Sequence, residues 1–593
     1  MKNSILSVIF YPILFIPLIN SSLFVDEFIT PSRYTLFFTI ALFCMFVLLE
    51  LIKRGQQFSF CITLVDVFFL LWFCYSLIHG FVSHIFPISL DLNFLMIGIF
   101  WLLVKLKGDF LVEKEYKLII IIMSVIALIE CSIGLSQSFD LKENSWISGT
   151  FGNSGPYGVY LASLFPIVLS ALLIKTITKY QKILLICVSI FILLMVFISH
   201  SRTSWISVLM VLFLFTTQQF NIINKLKKLL RRPLSKVIAA IGVIFLVSWS
   251  VYILFIFKVD SANGRIFIWE RSLEIIQDYP VVGTGSDTFR QIYPSYQIRY
   301  FTEHSEDTAM GRLAGNTYHP FNEFLKVAVE FGLIGLLIFM LFILVIIKTA
   351  ISMLRKDNQP MTIGILSGFC ALVVSCLFSY PLEHPSTFFL FYFYSLLISI
   401  RGPALKTIIF PNRFKWIFIL IGSLLIFSCW SEIHKVQAEM RWKNLTKSVS
   451  NNVDLDFRKN YEALYPVLKH NADFLYNYGA YLSLKGHYND AIIMLQESKE
   501  LCISTEVLNF IGNSYLGLGD NLKAERYFLQ SSHLVPHKLY PKYQLVRVYA
   551  ATDRKPDAII LASEIVNGDI KVSSYLTDQI QSEMKNFLSN EIK

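Results

Sequence analysis

The chain has 593 residues, of which 55% are apolar and only 16% charged, with a formal net charge of +10. A soluble chain of this length carries about 25% charged residues, so the deficit points to long lipid-facing runs. The positive charges of the apolar part sit mainly in short loops between apolar runs and form no basic stripe with interleaved aromatics, which argues against a nucleic-acid partner. Eight of nine cysteines lie inside apolar runs, Cys502 stands alone, and no CxxC or Cys/His spacing occurs, so neither a disulfide framework nor a zinc site is indicated.

In chain order, Met1-Lys2-Asn3 and the apolar run behind it have the basic flank of a signal peptide but no small-x-small cleavage site. The run therefore reads as a retained first helix. A hydrocarbon core needs about 20 apolar helical residues. By that ruler thirteen spans are predicted, near 4–24, 34–52, 60–82, 88–104, 118–137, 156–174, 183–199, 204–219, 237–257, 327–347, 362–380, 386–400 and 416–434. Alternate short loops hold 22 Lys and Arg in one set, against only Arg33, Lys142 and Arg202 in the other. The basic set is assigned to the cytoplasm, with the N-terminus inside and the C-terminus outside. Two large segments then face outward, a loop over 258–326 and a tail over 435–593, the rest of 1–434 being a membrane helical bundle.

The tail is soluble in character and repeats itself. Gly479, Gly486, Tyr488 and Ala491 recur as Gly512, Gly519, Asn521 and Ala524, a step of 33, and Ala558 follows Ala524 by 34. Small residues at helix crossings, with Pro536 closing a unit, are the tetratricopeptide (TPR) pattern, which predicts an α-solenoid with a surface for a protein partner. A generic helical bundle is the plainer reading.

Charged residues near a membrane edge need a reason, because burying them is costly. Arg202, in the short turn His200-Ser201-Arg202-Thr203-Ser204, reads either as a snorkelling side chain or as an anion-binding group in an outward cavity. The outer loop opens with Asn263-Gly264-Arg265-Ile266-Phe267-Ile268-Trp269 and runs through Asp278-Tyr279-Pro280-Val281-Val282-Gly283-Thr284-Gly285. It carries Arg290, Arg299, Arg312, His304 and His319, and ends in Asn322-Glu323-Phe324-Leu325 before Glu330-Phe331-Gly332-Leu333-Ile334-Gly335. Gly283-x-Gly285 lacks the third glycine and the Lys-Ser/Thr of a phosphate loop, so these glycines read as turn formers.

Taken in order, the Arg265 segment, Asp278-Tyr279-Pro280-x-x-Gly283-x-Gly285, Asn322-Glu323-Phe324-Leu325 and Glu330-x-Gly332-x-x-Gly335 resemble the core of the O-antigen ligase and polymerase family. Gly149-Thr150-Phe151-Gly152-Asn153-Ser154 and Ser201-Arg202-Thr203-Ser204-Trp205 extend the resemblance to roughly 145–400. It implies an all-α polytopic glycosyltransferase of the bacterial inner membrane that works without metal or cofactor in surface polysaccharide or lipopolysaccharide biosynthesis. The donor would be an undecaprenyl-diphosphate-linked glycan drawn from among the membrane lipids, and the acceptor a lipid A core, a growing glycan or a protein hydroxyl. It implies Arg202 and Arg265 as diphosphate-holding catalytic residues and His319 as the base, with Asn322, Glu330 and Arg290 also lining the substrate. Guanidinium groups suit a leaving diphosphate because they hold it bidentately. One departure stands out: the family's His, eleven residues before Gly332, falls on Phe321 here, and His319 lies two residues earlier. Either His319 reaches the same spot from a shifted loop, or the acceptor is deprotonated differently.

Three rivals remain at this level: a protein O-oligosaccharyltransferase, a polysaccharide or small-solute transporter, and a membrane scaffold displaying repeats. A transporter should show interrupted, charged helices at mid-membrane and often an internal repeat; here the notable charges gather at the outer edge.

Overall fold

The computed structural model describes residues 8–53, 58–82, 92–107, 113–139, 146–219, 259–305, 308–356, 359–411, 415–451, 456–568 and 570–591. The expected span at 237–257 lies outside them. Two compact units are present, one of residues 1–256 with 321–440 and one of 257–320 with 441–593.

The first unit contains a short 3-10 helix (Tyr11–Leu18), α1 (Ile29–Lys53), β1 (Phe58–Thr63), α2 (Leu64–Val82), α3 (Leu92–Lys107), α4 (Glu113–Phe139), α5 (Ser154–Ala171), α6 (Lys179–Ile198) and α7 (Arg202–Gln219). The second unit intervenes with α8 (Val259–Asp278), α9 (Phe289–Glu303) and α10 (Thr308–Leu313). The chain returns through α11 (Glu323–Lys356), α12 (Pro360–Phe378), α13 (Pro385–Arg401), β2 (Ala404–Phe410) and α14 (Lys415–Asn451). Seven of these, α1, α4, α5, α6, α11, α12 and α14, are long and apolar enough to cross a membrane. In the first expected window, 4–24, the helix that begins at Val8 ends at Leu18. Pro12 and Pro17 remove two backbone donors there.

Burial sorts the spans. In their most apolar stretches α5 and α12 are 83% and 78% buried, whereas α6 and α14 are 28% and 17% buried. The outward side chains of α6 and α14 include Ile183, Leu184, Ile190, Phe197, Ile419, Leu424, Phe427 and Trp430, all large and apolar. A surface of that kind is stable only against lipid or another apolar face. The chain is thus a polytopic membrane protein.

Two features depart from an all-helical bundle of loop-borne charges. β1 and β2 pair antiparallel, Phe60 opposite Ile408 and Cys61 opposite Thr407. Lys105, expected in a basic loop, is buried and ion-paired to Asp66 at 2.8 Å. The Asp66 carboxylate also accepts bonds from Trp101 Nε1 (2.8 Å), Ser399 Oγ (2.6 Å) and the Thr63 backbone N–H (2.8 Å). A charge out of water needs such a set, and removing one partner of a buried pair costs about 3–5 kcal/mol. Within α11, Gly332 takes φ 68 and ψ −174, a conformation open essentially to glycine alone, and breaks the helix there.

The second unit adds α15 (Arg458–Leu468), α16 (Ala472–Leu484), α17 (Tyr488–Leu501), α18 (Thr505–Gly517), α19 (Asn521–Leu534), α20 (Leu539–Ala551), α21 (Lys555–Asn567) and α22 (Tyr575–Glu591). The sequence repeat is a backbone repeat. Gly486, Gly519 and Asp553, at steps of 33 and 34, all adopt positive φ (79, 78 and 55) in the turns inside three helix pairs. Ala491, Ala524 and Ala558 are fully buried. A Cβ on Gly479 would sit 2.5 Å from Leu495 Cγ, and one on Gly512 would sit 2.6 Å from the Phe528 ring. These glycines let paired helices meet.

Gly512→Val should therefore overpack the α18–α19 crossing and destabilise the second unit by about 1–3 kcal/mol. Leu522→Ala, at a side chain 80% exposed, should leave stability within about 0.5 kcal/mol. Thermal unfolding of the detergent-purified chain, followed by limited proteolysis of the tail, checks both. A second expectation concerns pH. Burial, with Lys542 beside His533 and with Lys571, Lys538 and Arg312 beside His537, holds both imidazoles below their ordinary pKa. Folded, they bind a proton less readily than unfolded, so their contribution is intact above the unfolded value of about 6.5 and is lost as pH falls through and below it. The melting temperature of the second unit should drop between pH 7.5 and 5.5, and His533→Gln with His537→Gln should shrink that drop.

Candidate functional site

Three stretches of the first unit that carry the family-like residues converge on residues 378–385, the end of α12 and the turn that follows it. The first is the glycine turn. Gly149 and Gly152 have φ 54 and 67, and a Cβ on Gly149 would lie 2.5 Å from the Tyr157 ring and 2.6 Å from Glu130 Oε2. Glu130, fully buried on α4, clamps the turn: its carboxylate accepts from the Thr150 hydroxyl at 2.5 Å and from the Thr150 backbone N–H at 3.3 Å. Gln137 Oε1 accepts from the N–H groups of Ser148 (3.0 Å) and Gly149 (2.8 Å). Asn153 caps α5 by accepting from Gly155 N–H at 2.9 Å, and its Nδ2 donates to the Tyr380 hydroxyl at 3.2 Å.

The second stretch is the α6–α7 turn. His200 stands at φ 52, and Ser201 and Ser204 share a 2.7 Å hydroxyl contact. Arg202 is the first residue of α7 and is half-buried; Thr203 donates to the Phe378 carbonyl at 3.3 Å.

The third is the start of α11. Phe321 is at φ 53 with its ring 5.4 Å from that of Tyr380. Asn322 Oδ1 accepts from the N–H groups of Phe324 (2.9 Å) and Leu325 (3.1 Å), a helix cap. Glu323, 3% exposed, accepts the Leu382 N–H at 2.8 Å. Lys326 pairs with Glu383 and lies 3.9 Å from the buried Glu330. His384 packs on Phe151 at 4.5 Å; burial, then Arg33, lowers its pKa to about 3, so its imidazole is neutral. Of the residues singled out from sequence, Asn322 thus caps and Glu330 lies on one helix, tied through residues 378–384 to the turn that bears Arg202.

The second unit holds the others. Arg265 lies half-buried on α8, one turn before Trp269, whose Nε1 donates to the Pro320 carbonyl at 2.8 Å. That bond fastens the segment bearing His319 to the helix bearing Arg265. On the same helix as Arg265, Arg271, 8% exposed, bonds Glu274 at 2.8 Å and stacks its guanidinium 4.3 Å over Tyr300. The Tyr296 hydroxyl donates to Asp278 at 2.5 Å, and Gly283 and Gly285 turn the chain at φ 74 and 120. Arg290 pairs with Asp287 at 2.7 Å. Among the described residues no cluster of three or more His, Cys, Asp or Glu side chains is arranged to hold a metal.

Sequence reasoning passed over Glu130 and the whole 379–385 turn, and quoted Trp269 only as part of the Arg265 segment. Glu130 carried a signal, an ionisable residue inside an apolar run. Tyr380-Pro381-Leu382-Glu383-His384-Pro385 carried another, prolines and charges between two spans.

Residues 187–340 match the family model described as O-Antigen ligase. The exopolysaccharide production protein ExoQ of Rhizobium meliloti is 29% identical over 120 residues, which are 20% of this chain and 25% of that protein. The matched stretch thus spans a quarter of that relative's length. The similarity read from the motifs is borne out over the segment that contains Arg202, Arg265, Arg290, His319, Asn322 and Glu330: there the chain resembles the O-antigen ligases.

Proposed function

We propose that this protein is a membrane glycosyltransferase of surface polysaccharide assembly that moves a glycan from undecaprenyl diphosphate to an acceptor hydroxyl outside the inner membrane. The observation that carries the reading is the coincidence of all six candidate residues with the O-antigen ligase match. In this reaction the acceptor oxygen attacks the anomeric carbon, the bond from that carbon to the diphosphate oxygen breaks, and undecaprenyl diphosphate leaves with the electron pair. Arg202 and Arg265 hold the diphosphate, whose charge grows in the transition state, and need no metal to do so. His319, held near Arg265 by the Trp269–Pro320 bond, takes the hydroxyl proton. A polyprenyl tail remains in lipid while its headgroup enters from the outer face, which suits a site at a bundle's edge. The N-terminus lies in the cytoplasm, and the 257–320 segment and the tail, a tetratricopeptide stack, lie in the periplasm. The similarity to an exopolysaccharide production protein favours a growing polysaccharide as acceptor over a lipid A core or a protein hydroxyl.

Purified in lipid nanodiscs and given a lipid-linked oligosaccharide, Arg265→Ala and Arg202→Ala should each lower kcat by about 10²–10³. His319→Gln should lower it by about 10²–10⁴ and remove the acidic limb of the pH profile. Transfer at the wild-type rate in either arginine variant, at equal protein level, contradicts the assignment. A wild-type rate in His319→Gln assigns the proton to another base.

A further inference from the structure

Helical repeats on a membrane enzyme suggest an arm for recruiting other proteins. The contacts inside the second unit say something more specific about this one. Segment 288–320 is seated on the turns between successive helix pairs of the tail, more than 180 residues away in sequence. Gln297, fully buried, donates from Nε2 to the carbonyl of Leu534 at 2.5 Å and to that of Gly315 at 3.1 Å. Asn316 Nδ2 donates to Glu506 Oε2 at 2.8 Å, while Asn316 Oδ1 accepts the Thr505 N–H at 3.2 Å. Lys538 closes the set on Glu506 Oε1 at 2.6 Å. Ile298 packs into a cluster of Ile503, Leu508, Leu534 and Val535. The Thr302 hydroxyl meets His533 Nδ1 at 3.0 Å, His537 Nδ1 meets the Gly311 carbonyl at 3.1 Å, and a Cβ on Gly311 would be 3.2 Å from Pro536 Cβ. Buried amide and charge-assisted bonds of this kind specify one register, because any slip leaves them unpaired.

We infer that the tail of residues 441–593 is an internal positioning surface for the 257–320 segment, fixing His319 through Asn316 three residues before it. The inference rests on the glycosyltransferase reading for its functional half; the seating itself does not. Asn316, Gln297 and Glu506 are then positioning residues, and the face formed by the turns after α17 and α19 is occupied by the chain itself.

The test has two arms on the full-length protein in nanodiscs. In a Cys502→Ser background, Gly311→Cys with Pro536→Cys should form a disulfide, because the two Cβ positions nearly meet the roughly 3.5–4.5 Å such a bond needs. The shift is read on a non-reducing gel without reference to activity, and the oxidised protein should keep its transfer rate. Thr302→Cys with His533→Cys is the second pair should the first disturb the fold. In the other arm, Asn316→Asp faces Glu506 with a like charge and should lower kcat about tenfold with the donor KM changed less than about twofold. Adding Glu506→Gln restores a donor opposite the new carboxylate and should return kcat to within about threefold of wild type, a recovery of about 0.7–1.4 kcal/mol. Failure of both cysteine pairs to cross-link overturns the seating. Cross-linking without rescue by Glu506→Gln overturns the positioning role. Cross-linking in a protein whose wild type transfers no glycan leaves the seating intact and sinks the glycosyltransferase reading instead.

Discussion

A carboxylate or ammonium group withdrawn from water must be met by a partner, and three sets of such groups organise the first unit. Asp66 and Lys105 neutralise each other where α2, α3 and α13 meet. Glu130 is spent on Thr150, and in being spent it freezes the glycine turn that follows α4. Glu323 holds the Leu382 N–H, and Lys326 draws Glu383 and Glu330 together. Glu130, Glu323 and Lys326 thus each fix a loop or helix end that carries family-like residues or meets them, while the Asp66–Lys105 pair ties α2, α3 and α13 together. The helices supply apolar bulk; the charges supply register. This division follows from the cost of an unpaired charge in an apolar medium, which exceeds the worth of most single contacts.

The second unit solves a different problem. Segment 257–320 has a small apolar core of its own, centred on Phe267, Phe301 and Ala314. It also meets the tail through buried amide bonds and through Ile298 in a shared cluster. Proton transfer and diphosphate binding both require groups placed to within a fraction of an ångström. Under the proposed reaction, the helical stack built on glycine and alanine crossings would be the base that holds such groups in place. The Trp269–Pro320 bond then passes the constraint to the residues beside His319.

What the sequence made legible followed from local pattern. Apolar runs located the seven described helices long and apolar enough to cross a membrane, out of thirteen windows expected, and the step of 33 marked helix pairs whose turn residues, Gly486 and Gly519, share a positive φ. The glycine of Glu330-x-Gly332 proved to be a helix break that no other residue would tolerate cheaply. What stayed hidden was non-local. β1 reads as the start of an apolar span because a short apolar run does not distinguish strand from helix, and its partner lies some 340 residues on. Lys105 looked like a loop charge because its partner Asp66 sits in another helix. The seating of Asn316 on Glu506 depends on residues 190 apart in sequence. The arginines and His319 were singled out as residue types; their placement on two separate units was not foreseeable from spacing.

The account requires the 257–320 segment to lie on the side of the membrane where lipid-linked glycans are polymerised or ligated. Tyr318 is 44% exposed, next to His319, and so offers a reporter position. In a Cys502→Ser background, Tyr318→Cys in intact spheroplasts should react with a membrane-impermeant maleimide as fully as it does after lysis. Labelling only after the membrane is opened would place the arginines and His319 in the cytosol and contradict the account.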